Sequence, residues 1–323
     1  MTLGPYRAPW WLPGGHAQTI AAAALALRCE VAYRRELWTS PDSDLVAVDF
    51  AQPEPDDSGA PLLVLFHGLE GSSRSHYARA LMQVATARRW RACVAHFRGC
   101  GGQANRLPRA YHSGDSDEAH WILGAAGARW PHARLYAAGV SLGGNVLAKW
   151  LGERGAAAAR LTAAAVVSVP FDLVAGGLSL SSGLNRAVYG RYFLRSMHRK
   201  ADEFERRHPG RIDIARVRGS PNLREFDDAF TAPLHGFRDV MHYWNSASSR
   251  PWLASVEVPL LALNARNDPF VPVASLPQPS RVSRQVRLEQ PAQGGHAGFV
   301  RGPWPGELGF TAQRVLDFFE RGA

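Results

Sequence analysis

Short, continuously apolar runs alternate with amphipathic helical patterns through most of this chain. Runs of strand length lie at residues 62–66, 92–97, 135–140, 163–169, 259–264 and 285–290. Helical patterns lie at residues 75–89, 115–126, 142–152 and 308–321. Because strands that are apolar on both faces occur where both faces are covered, the pattern predicts an α/β fold with a mostly parallel sheet and helices on both faces. Residues 31–50 could add antiparallel edge strands, and the spacing of Asp115 and Glu118 predicts a capping box at one helix start.

The alternation breaks between Phe171 and Val258, where Gly- and Ser-rich turns, aromatic helical stretches and a basic stretch occur. An insertion of this size between two late core strands is typical of a cap over the strand ends, and it is too interrupted to favour an independent domain. We therefore predict that residues 1–170 and 258–323 form the core and that residues 171–257 form a cap, or lid, insertion.

Composition narrows the functional classes. The 323 residues carry a net charge of +9, mostly from arginine, but the arginines are dispersed and match no nucleic-acid-binding module, so we expect no nucleic-acid partner. The three cysteines, Cys29, Cys93 and Cys100, include no CxxC pair, which favours reduced thiols over a disulfide framework or a zinc cage. We expect a cytoplasmic protein, because no stretch has the length of a membrane span and the N-terminal residues do not read as a signal peptide.

A G-x-S-x-G motif at residues 139–143 provides a candidate nucleophilic serine. It follows a predicted strand and opens a predicted helix, which is the strand–turn–helix setting of a nucleophile elbow in an α/β-hydrolase fold. Its glycines remove the Cβ clashes of so tight a turn, and Ser141 is then presented at a helix N-terminus, where N–H groups favour a developing anion. We predict that Ser141 is a nucleophile.

A serine hydroxyl needs a general base and an acid that orients the base. Asp268 and His296 follow the last two predicted strands, in the chain order Ser, Asp, His. Because the carboxyl ends of parallel strands deliver catalytic groups to one edge of a sheet, we predict a triad of Ser141, His296 and Asp268. Asp172, which follows the strand at 163–169, is the rival for the acid.

The oxyanion of an acyl-transfer reaction needs two N–H donors aimed at one point. One donor is predicted to be the backbone of Leu142, the residue after the nucleophile. The other is predicted to be the backbone of Leu69, in the turn after residues 62–66, where Gly68 and Gly71 allow a close backbone approach.

Other polar residues are interpreted as structural. His67 is expected to hydrogen-bond the loop at the end of its strand rather than to take part in catalysis. The Asp227-Asp228 pair lies within the predicted cap, and His16 carries no role that the residues alone would require.

Several segments resemble the YheT-like α/β-hydrolases, also called AB hydrolase family 4, which have lipase and phospholipase relatives in eukaryotes. They are Gly15-His-Ala-Gln-Thr, His67-Gly-Leu-Glu-Gly-Ser-Ser, His96-Phe-Arg-Gly-Cys-Gly-Gly, Tyr111-His-Ser-Gly-Asp, Gly139-Val-Ser-Leu-Gly-Gly-Asn and Glu225-Phe-Asp-Asp-Ala-Phe-Thr-Ala-Pro-Leu-His-Gly-Phe. The resemblance runs from about Trp10 to the C-terminal helix. It places nucleophile, acid and base on Ser141, Asp268 and His296, and it implies hydrolysis of carboxylic esters with short-chain or lipid-like acyl groups.

The expected reaction is acyl transfer through a Ser141 acyl-enzyme, with no metal or organic cofactor implied. We expect the substrate to lie under the cap against Phe171, Leu178, Phe193 and Phe230, and the basic cap to favour weak contact with anionic membranes. An acyltransferase using the same triad and a non-catalytic binding protein on the same fold are the alternatives. We do not expect an epoxide hydrolase or a haloalkane dehalogenase, because those chemistries need a carboxylate at the elbow position, which Ser141 occupies here.

Overall fold

The computed structural model describes residues 4–25 and 30–321, and its centre is one eight-stranded sheet with the order β1-β2-β4-β3-β5-β6-β7-β8. The strands are β1 (Tyr33–Thr39), β2 (Leu45–Ala51), β3 (Leu62–Phe66), β4 (Arg91–Ala95), β5 (Leu135–Val140), β6 (Leu161–Val167), β7 (Leu260–Leu263) and β8 (Val286–Glu289). Strands β3 to β8 pair in parallel, whereas β1 and β2 pair antiparallel, with β2 also antiparallel to β4. The predicted parallel sheet with antiparallel edge strands is confirmed.

Twelve α-helical segments occur among the described residues. They are α1 (Gly15–Leu25), α2 (His76–Ala87), α3 (Ser116–Arg129), α4 (Leu142–Arg154), α5 (Leu173–Leu180), α6 (Gly183–Asn185), α7 (Arg191–Arg207), α8 (Ile214–Arg218), α9 (Leu223–Phe226), α10 (Ala232–Leu234), α11 (Val240–Ala247) and α12 (Gly309–Glu320). A π-helical turn, Arg186–Gly190, joins α6 to α7 without a break in helical backbone, so we call residues 183–207 the long insertion helix. No helix in residues 4–25 and 30–321 has the length and apolar character needed to cross a bilayer.

Helices cover both faces of the sheet, as predicted. Along β3, Leu62, Val64 and Phe66 point to one face and Leu63 and Leu65 to the other, because successive side chains of a strand alternate. Helices α3 and α4 pack on the first face, and α2 and α12 pack on the second. All five β3 side chains are fully buried, so the core on each face fixes the register of the central strand.

Two strands end two residues earlier than predicted. Strand β4 stops at Ala95; the His96 N–H still donates to the Ala47 carbonyl of β2 at 2.9 Å, and the His96 side chain pairs with Asp49 (Nε2–Oδ2 2.9 Å). Strand β6 stops at Val167 because Ser168 takes a φ of 52°, which extended backbone does not adopt. Both departures occur at the carboxyl edge of the sheet.

The predicted capping box at the start of α3 is wrong. Asp115 is the residue that precedes the helix, but its side chain makes no cap bond and instead accepts from Arg109 at 2.6 Å. Glu118 accepts from the Arg98 guanidinium at 2.9 and 3.0 Å. Both carboxylates are buried and pair with arginines, Glu118 with the buried Arg98 and Asp115 with the partly exposed Arg109, because an unpaired buried charge is unfavourable.

All the helices between β6 and β7 fall within residues 171–257, the segment predicted as a cap. They bury two small apolar clusters of their own, one around Phe204, Phe226 and Phe230 and one around Leu173 and Trp244. Cys93 and Cys100 are buried free thiols, as expected, and Cys29 lies outside the described residues.

Helix α4 packs so closely on the turn Arg250–Ser255 that Gly152→Ala is expected to destabilise the protein. A Cβ at residue 152 would collide with the backbone carbonyl of Trp252, and overpacking of this kind lowers the free energy of unfolding by about 1–3 kcal/mol. Urea denaturation measures the change.

The matched control is Gly124→Ala in α3. A Cβ at that exposed position meets nothing within 4 Å, so alanine should leave stability unchanged or raise it by up to about 1 kcal/mol through helix propensity. Equal destabilisation by both substitutions would contradict the packing argument.

Candidate active site

The turn from β5 to α4 holds Ser141 in a strained conformation. Ser141 has φ 54° and ψ −121°, in the left-handed region that non-glycine residues rarely adopt. A Cβ on Gly139 would lie 2.5 Å from the carbonyl oxygen of Gly143, and a Cβ on Gly143 would collide with the carbonyl oxygens of Phe66 and His67. Only glycine fits at both positions, so the motif is required by the packing of helix on strand.

The structure brings Ser141, His296 and Asp268 together at the carboxyl edge of the sheet. The Ser141 Oγ lies 2.8 Å from His296 Nε2, and His296 Nδ1 lies 2.9 Å from Asp268 Oδ2. Asp268 is fully buried and also accepts the Phe270 N–H at 2.8 Å. The His296 side chain is one-tenth exposed, and the Phe270 ring packs on it at a centroid distance of 4.2 Å.

The rival acid, Asp172, does not meet the histidine. Its Oδ1 accepts the Ala175 N–H at 3.0 Å at the start of α5, and its Oδ2 pairs with Arg250 at 3.2 Å. Asp172 is therefore a helix-capping residue.

The turn after β3 lies directly against the nucleophile. A Cβ on Gly68 would be 3.2 Å from the Ser141 Cβ. The N–H of Gly68 donates to Tyr77, that of Glu70 to Tyr111 and that of Gly71 to the Gly68 carbonyl. Among the described residues, the Leu69 N–H has no such partner.

The His67 side chain links this turn to the backbone that follows β4. Its Nε2 accepts the Phe97 N–H at 3.1 Å, so its Nδ1 carries the proton and donates to the Gly68 carbonyl at 2.8 Å. Burial lowers the pKa of His67 to about 3. The residue hydrogen-bonds the loop, as its position at the strand end predicted.

Helix α1 fastens the loop that carries His296, a role that the sequence did not reveal. The Thr19 hydroxyl accepts the His296 backbone N–H at 2.8 Å and donates to the Gly15 carbonyl at 2.7 Å. Gly295 touches the backbone of Thr19 so closely that any side chain there would collide with it. The only signal in the sequence was the presence of the Gly15–Thr19 segment among the family-like motifs.

The same helix contacts the loop that carries Asp268. The backbone of Gly15 lies against the carbonyl of Asn267, leaving no room for a Cβ. His16 reaches in the other direction, with its Nδ1 3.0 Å from the Tyr189 hydroxyl of the long insertion helix and the two rings stacked. Helix α1 therefore touches the acid loop, the base loop and the insertion at once.

A cavity of about 770 Å³ opens at the Ser141 hydroxyl. Leu69, Leu142 and His296 line it beside Ser141, and its far walls come from the insertion: Leu173, Leu180, Met197, Phe204, Leu223, Phe226, Phe230 and Trp244. These eight side chains are apolar, whereas charged side chains, among them Glu70, Arg98, Arg199, Lys200 and Asp227, line other parts of the cavity. The apolar part suits an apolar portion of a ligand.

Three of the four side chains predicted to line this cavity do not. Phe230 lines it. Phe171 is buried in the core between the sheet and helices α3 and α4, and Leu178 is 44% exposed to solvent. Phe193 packs on Phe270 instead. An apolar residue in an insertion can face core, cavity or solvent, and periodicity alone does not distinguish these.

The adjacent acids Asp227 and Asp228 have separate environments. Asp228 accepts the Val240 N–H at 2.9 Å and pairs with Arg216, so it braces the insertion. Asp227 lines the cavity and accepts from the Thr231 hydroxyl at 2.6 Å and from the Trp244 indole at 2.9 Å. Burial raises the pKa of Asp227 to about 6.

Comparison with known proteins agrees with the observed fold. A sequence profile for the α/β hydrolase fold matches residues 61–303. YheT of Escherichia coli strain K12 is 38% identical over 264 residues, which make up 81% of this chain and 77% of YheT. The chain is a YheT-like member of the α/β-hydrolase family.

Other relatives extend the comparison. Human phospholipase ABHD3 is 29% identical over 301 residues, covering 91% of this chain and 73% of that protein. Among solved structures, the esterase Pf2001 of Pyrococcus furiosus superposes with a TM-score of 0.58 at 14% identity, covering 92% of this chain and 95% of that chain. At this identity the likeness shows that the fold is shared.

Four histidines near the site of this hydrolase are held neutral by burial. Desolvation lowers the pKa of His67 and His112 to about 3 and that of His76 and His235 to about 4. None of them belongs to the Ser141–His296–Asp268 set. Each must gain a proton when the protein unfolds in mild acid, and each therefore links stability to pH.

Thr19→Val is expected to slow the reaction of Ser141 with a fluorophosphonate by about tenfold. Valine keeps the shape of threonine but leaves the His296 N–H without its acceptor, and an unsatisfied buried donor is worth about 1–3 kcal/mol. Loss of about 1.4 kcal/mol of transition-state stabilisation gives tenfold. Mass spectrometry of the phosphonylated serine follows the rate.

Thr19→Ser, which keeps the hydroxyl, is the control. Equal slowing in both variants would show that loss of the hydrogen bond to the His296 N–H is not the cause.

Acidification is expected to destabilise the protein from about pH 6.5 downwards. The folded pKa values of the four histidines lie below the unfolded value of about 6.5, so the unfolded state binds more protons in this window and stability falls as pH falls. Each fully shifted histidine contributes up to about 1.4 kcal/mol per pH unit. Burial raises the pKa of Asp227 to about 6 and also raises that of Glu118, and both groups oppose this trend.

Urea denaturation at pH 7.5, 6.5 and 5.5 tests this linkage. His235→Gln should flatten the pH dependence by up to about 1.4 kcal/mol per pH unit, whereas His132→Gln, at an exposed position, should leave the slope unchanged. A wild-type stability that is flat or rises on acidification over this range would show that the assignment is wrong.

Proposed function

We propose that this protein is a serine hydrolase that cleaves carboxylic esters through an acyl-enzyme on Ser141. The observation that carries the proposal is the unbroken hydrogen-bond chain from the Ser141 hydroxyl through His296 to Asp268, beside a cavity whose wall is partly apolar. Such a chain is what a serine needs to act as a nucleophile near neutral pH.

In the first step, His296 acts as general base. With its Nδ1–H donated to Asp268, the imidazole presents the Nε2 lone pair to the Ser141 hydroxyl. The serine oxygen attacks the ester carbonyl as its proton moves to Nε2. The buried carboxylate of Asp268 stabilises the imidazolium that forms and keeps the ring in this orientation.

The carbonyl oxygen becomes an anion in this step. We propose that the N–H groups of Leu69 and Leu142 bind it. Leu142 is the first residue of α4, so its N–H has no partner within the helix, and the Leu69 N–H is the unused donor in the turn that lies against Ser141. Backbone donors fixed in advance stabilise developing charge strongly, because they need no reorganisation during the reaction.

The tetrahedral intermediate then loses its alcohol. His296 returns the proton to the leaving oxygen, the C–O bond breaks and the acyl group stays on Ser141. Water attacks the acyl-enzyme in the second step, giving its proton to His296 as the new C–O bond forms, and collapse of this intermediate releases the carboxylic acid and restores the serine.

The insertion supplies the acyl site in this proposal, as a cap formed by residues 171–257. Phe204, Phe226 and Phe230 form an apolar wall that faces Ser141 across the cavity. Apolar walls favour the acyl chain of a lipid-like ester. The phospholipase name of the human relative supports the same substrate class.

Ser141→Ala should abolish hydrolysis of a graded panel of p-nitrophenyl esters. Removing the nucleophile leaves only binding and oxyanion stabilisation, so we expect kcat to fall by at least about 10,000-fold. Initial rates at each chain length measure the effect. Activity close to wild type in this variant would end the acyl-enzyme proposal.

A pair of acid substitutions supplies the matched control. Asp268→Asn should reduce kcat by about 10,000-fold, because an amide cannot hold the required tautomer. Asp172→Asn removes the charge of the rival acid. Because the Asp172 carboxylate contacts α5 and Arg250 rather than His296, this change should leave kcat within a few-fold of wild type. The reverse ranking would reassign the acid.

A further inference from the structure

The outer surface of the long insertion helix has an unusual charge distribution. From Leu173 to Ala201 the chain has no Asp or Glu and carries five cationic side chains: Arg186, Arg191, Arg195, Arg199 and Lys200. Arg186, Arg191 and Arg195 are exposed, and their guanidinium groups form no ion pair or hydrogen bond with any described residue. These charges therefore remain available to an anionic partner.

Large apolar side chains lie beside these arginines. Leu184, Val188 and Tyr192 recur every four residues along the helix and are 61%, 44% and 73% exposed. A surface helix normally turns its apolar stripe towards the core. Here the first half of the helix shows an apolar stripe to solvent, and a contiguous exposed patch of this kind marks an interaction surface.

The second half of the same helix forms part of the cavity wall. Ser196, Met197, Lys200 and Phe204 line the cavity, and Arg199 lies at both the cavity and the exposed surface. The exposed apolar stripe and the cavity wall therefore occupy successive halves of one helix.

We propose that Leu184, Val188 and Tyr192, with Arg186, Arg191 and Arg195, dock the protein on an anionic lipid surface. We call these six residues the docking surface. The apolar side chains insert at the boundary of the headgroups and acyl chains, and the arginines bind the headgroup anions, as in helices that lie in a membrane interface. Several unpaired charges without a pocket around them suit a diffuse array of headgroups better than one folded partner.

This docking deepens the proposed function, on which its biological meaning rests. A lipid ester has low solubility in water, so an enzyme that meets it at the bilayer gains local substrate. The docking surface and part of the cavity wall belong to the same helix, so docking brings the cavity close to the bilayer. The reaction itself is unchanged.

Co-sedimentation of full-length Ser141→Ala protein with vesicles tests the docking without turnover. We expect strong binding to phosphatidylcholine mixed with phosphatidylglycerol, weak binding to phosphatidylcholine alone, and loss of binding at high salt because exposed charges are screened. Arg191→Gln with Arg195→Gln should weaken binding to the anionic vesicles by about fivefold for each arginine. Tyr192→Ser should weaken binding further, through lost insertion.

Arg281→Gln with Arg284→Gln is the matched control. These exposed arginines precede β8, at the opposite edge of the sheet from Ser141, and their loss should leave vesicle binding within twofold of the parent. Equal loss in both double variants, or equal binding to neutral and anionic vesicles, would overturn the docking surface. The proposal would also be overturned if the protein did not bind vesicles but formed a dimer in sedimentation velocity that Tyr192→Ser converted to monomer. Because the assay needs no hydrolysis, its failure is distinguishable from a failure of the ester-hydrolase proposal.

Discussion

The close packing of α4 against the carboxyl ends of β3 and β5 is the constraint on which the site depends. Gly143 lies so near the Phe66 and His67 carbonyls that no side chain can stand between helix and strand. That packing leaves Ser141 in the left-handed region of backbone space, and it sets the Leu142 N–H beside the hydroxyl. The buried sheet holds the strain, since β3 and β5 have no exposed residue along their length.

Topology explains why the sequence predicted so much of the candidate site. Strands β3 to β7 are largely apolar runs, which are recognisable locally, and their parallel pairing follows from their burial on both faces. The edge strand β8 alternates apolar and charged residues instead. Once the strands are parallel, the loops after β5, β7 and β8 meet at one edge. Ser141, Asp268 and His296 then become neighbours because each follows the end of a strand, although residue 268 is far from residue 141 in sequence.

The features that were missed depend on contacts that no local pattern encodes. Thr19 and His296 are 277 residues apart, and nothing near either residue indicates their hydrogen bond. The Asp115–Glu118 spacing is that of a capping box, yet Arg109 and Arg98 take both carboxylates once the loops fold over the sheet. In each case a partner outside the local motif outweighs the local preference, because burial makes the satisfaction of every polar group matter more than propensity.

Glu70 connects the long insertion helix to the turn that carries Leu69. Its side chain is only 6% exposed, and it accepts from the Tyr111 hydroxyl at 2.8 Å, from Lys200 at 2.7 Å and from the Ser196 hydroxyl. A buried carboxylate is stable only with such donors around it. If the helix moved outwards, Glu70 would lose two of its three donors. The position of the helix and the shape of the turn beside Ser141 therefore depend on each other. A displacement of the helix would change the hydrogen bonds of the Glu70 carboxylate, and with them the turn that carries Leu69.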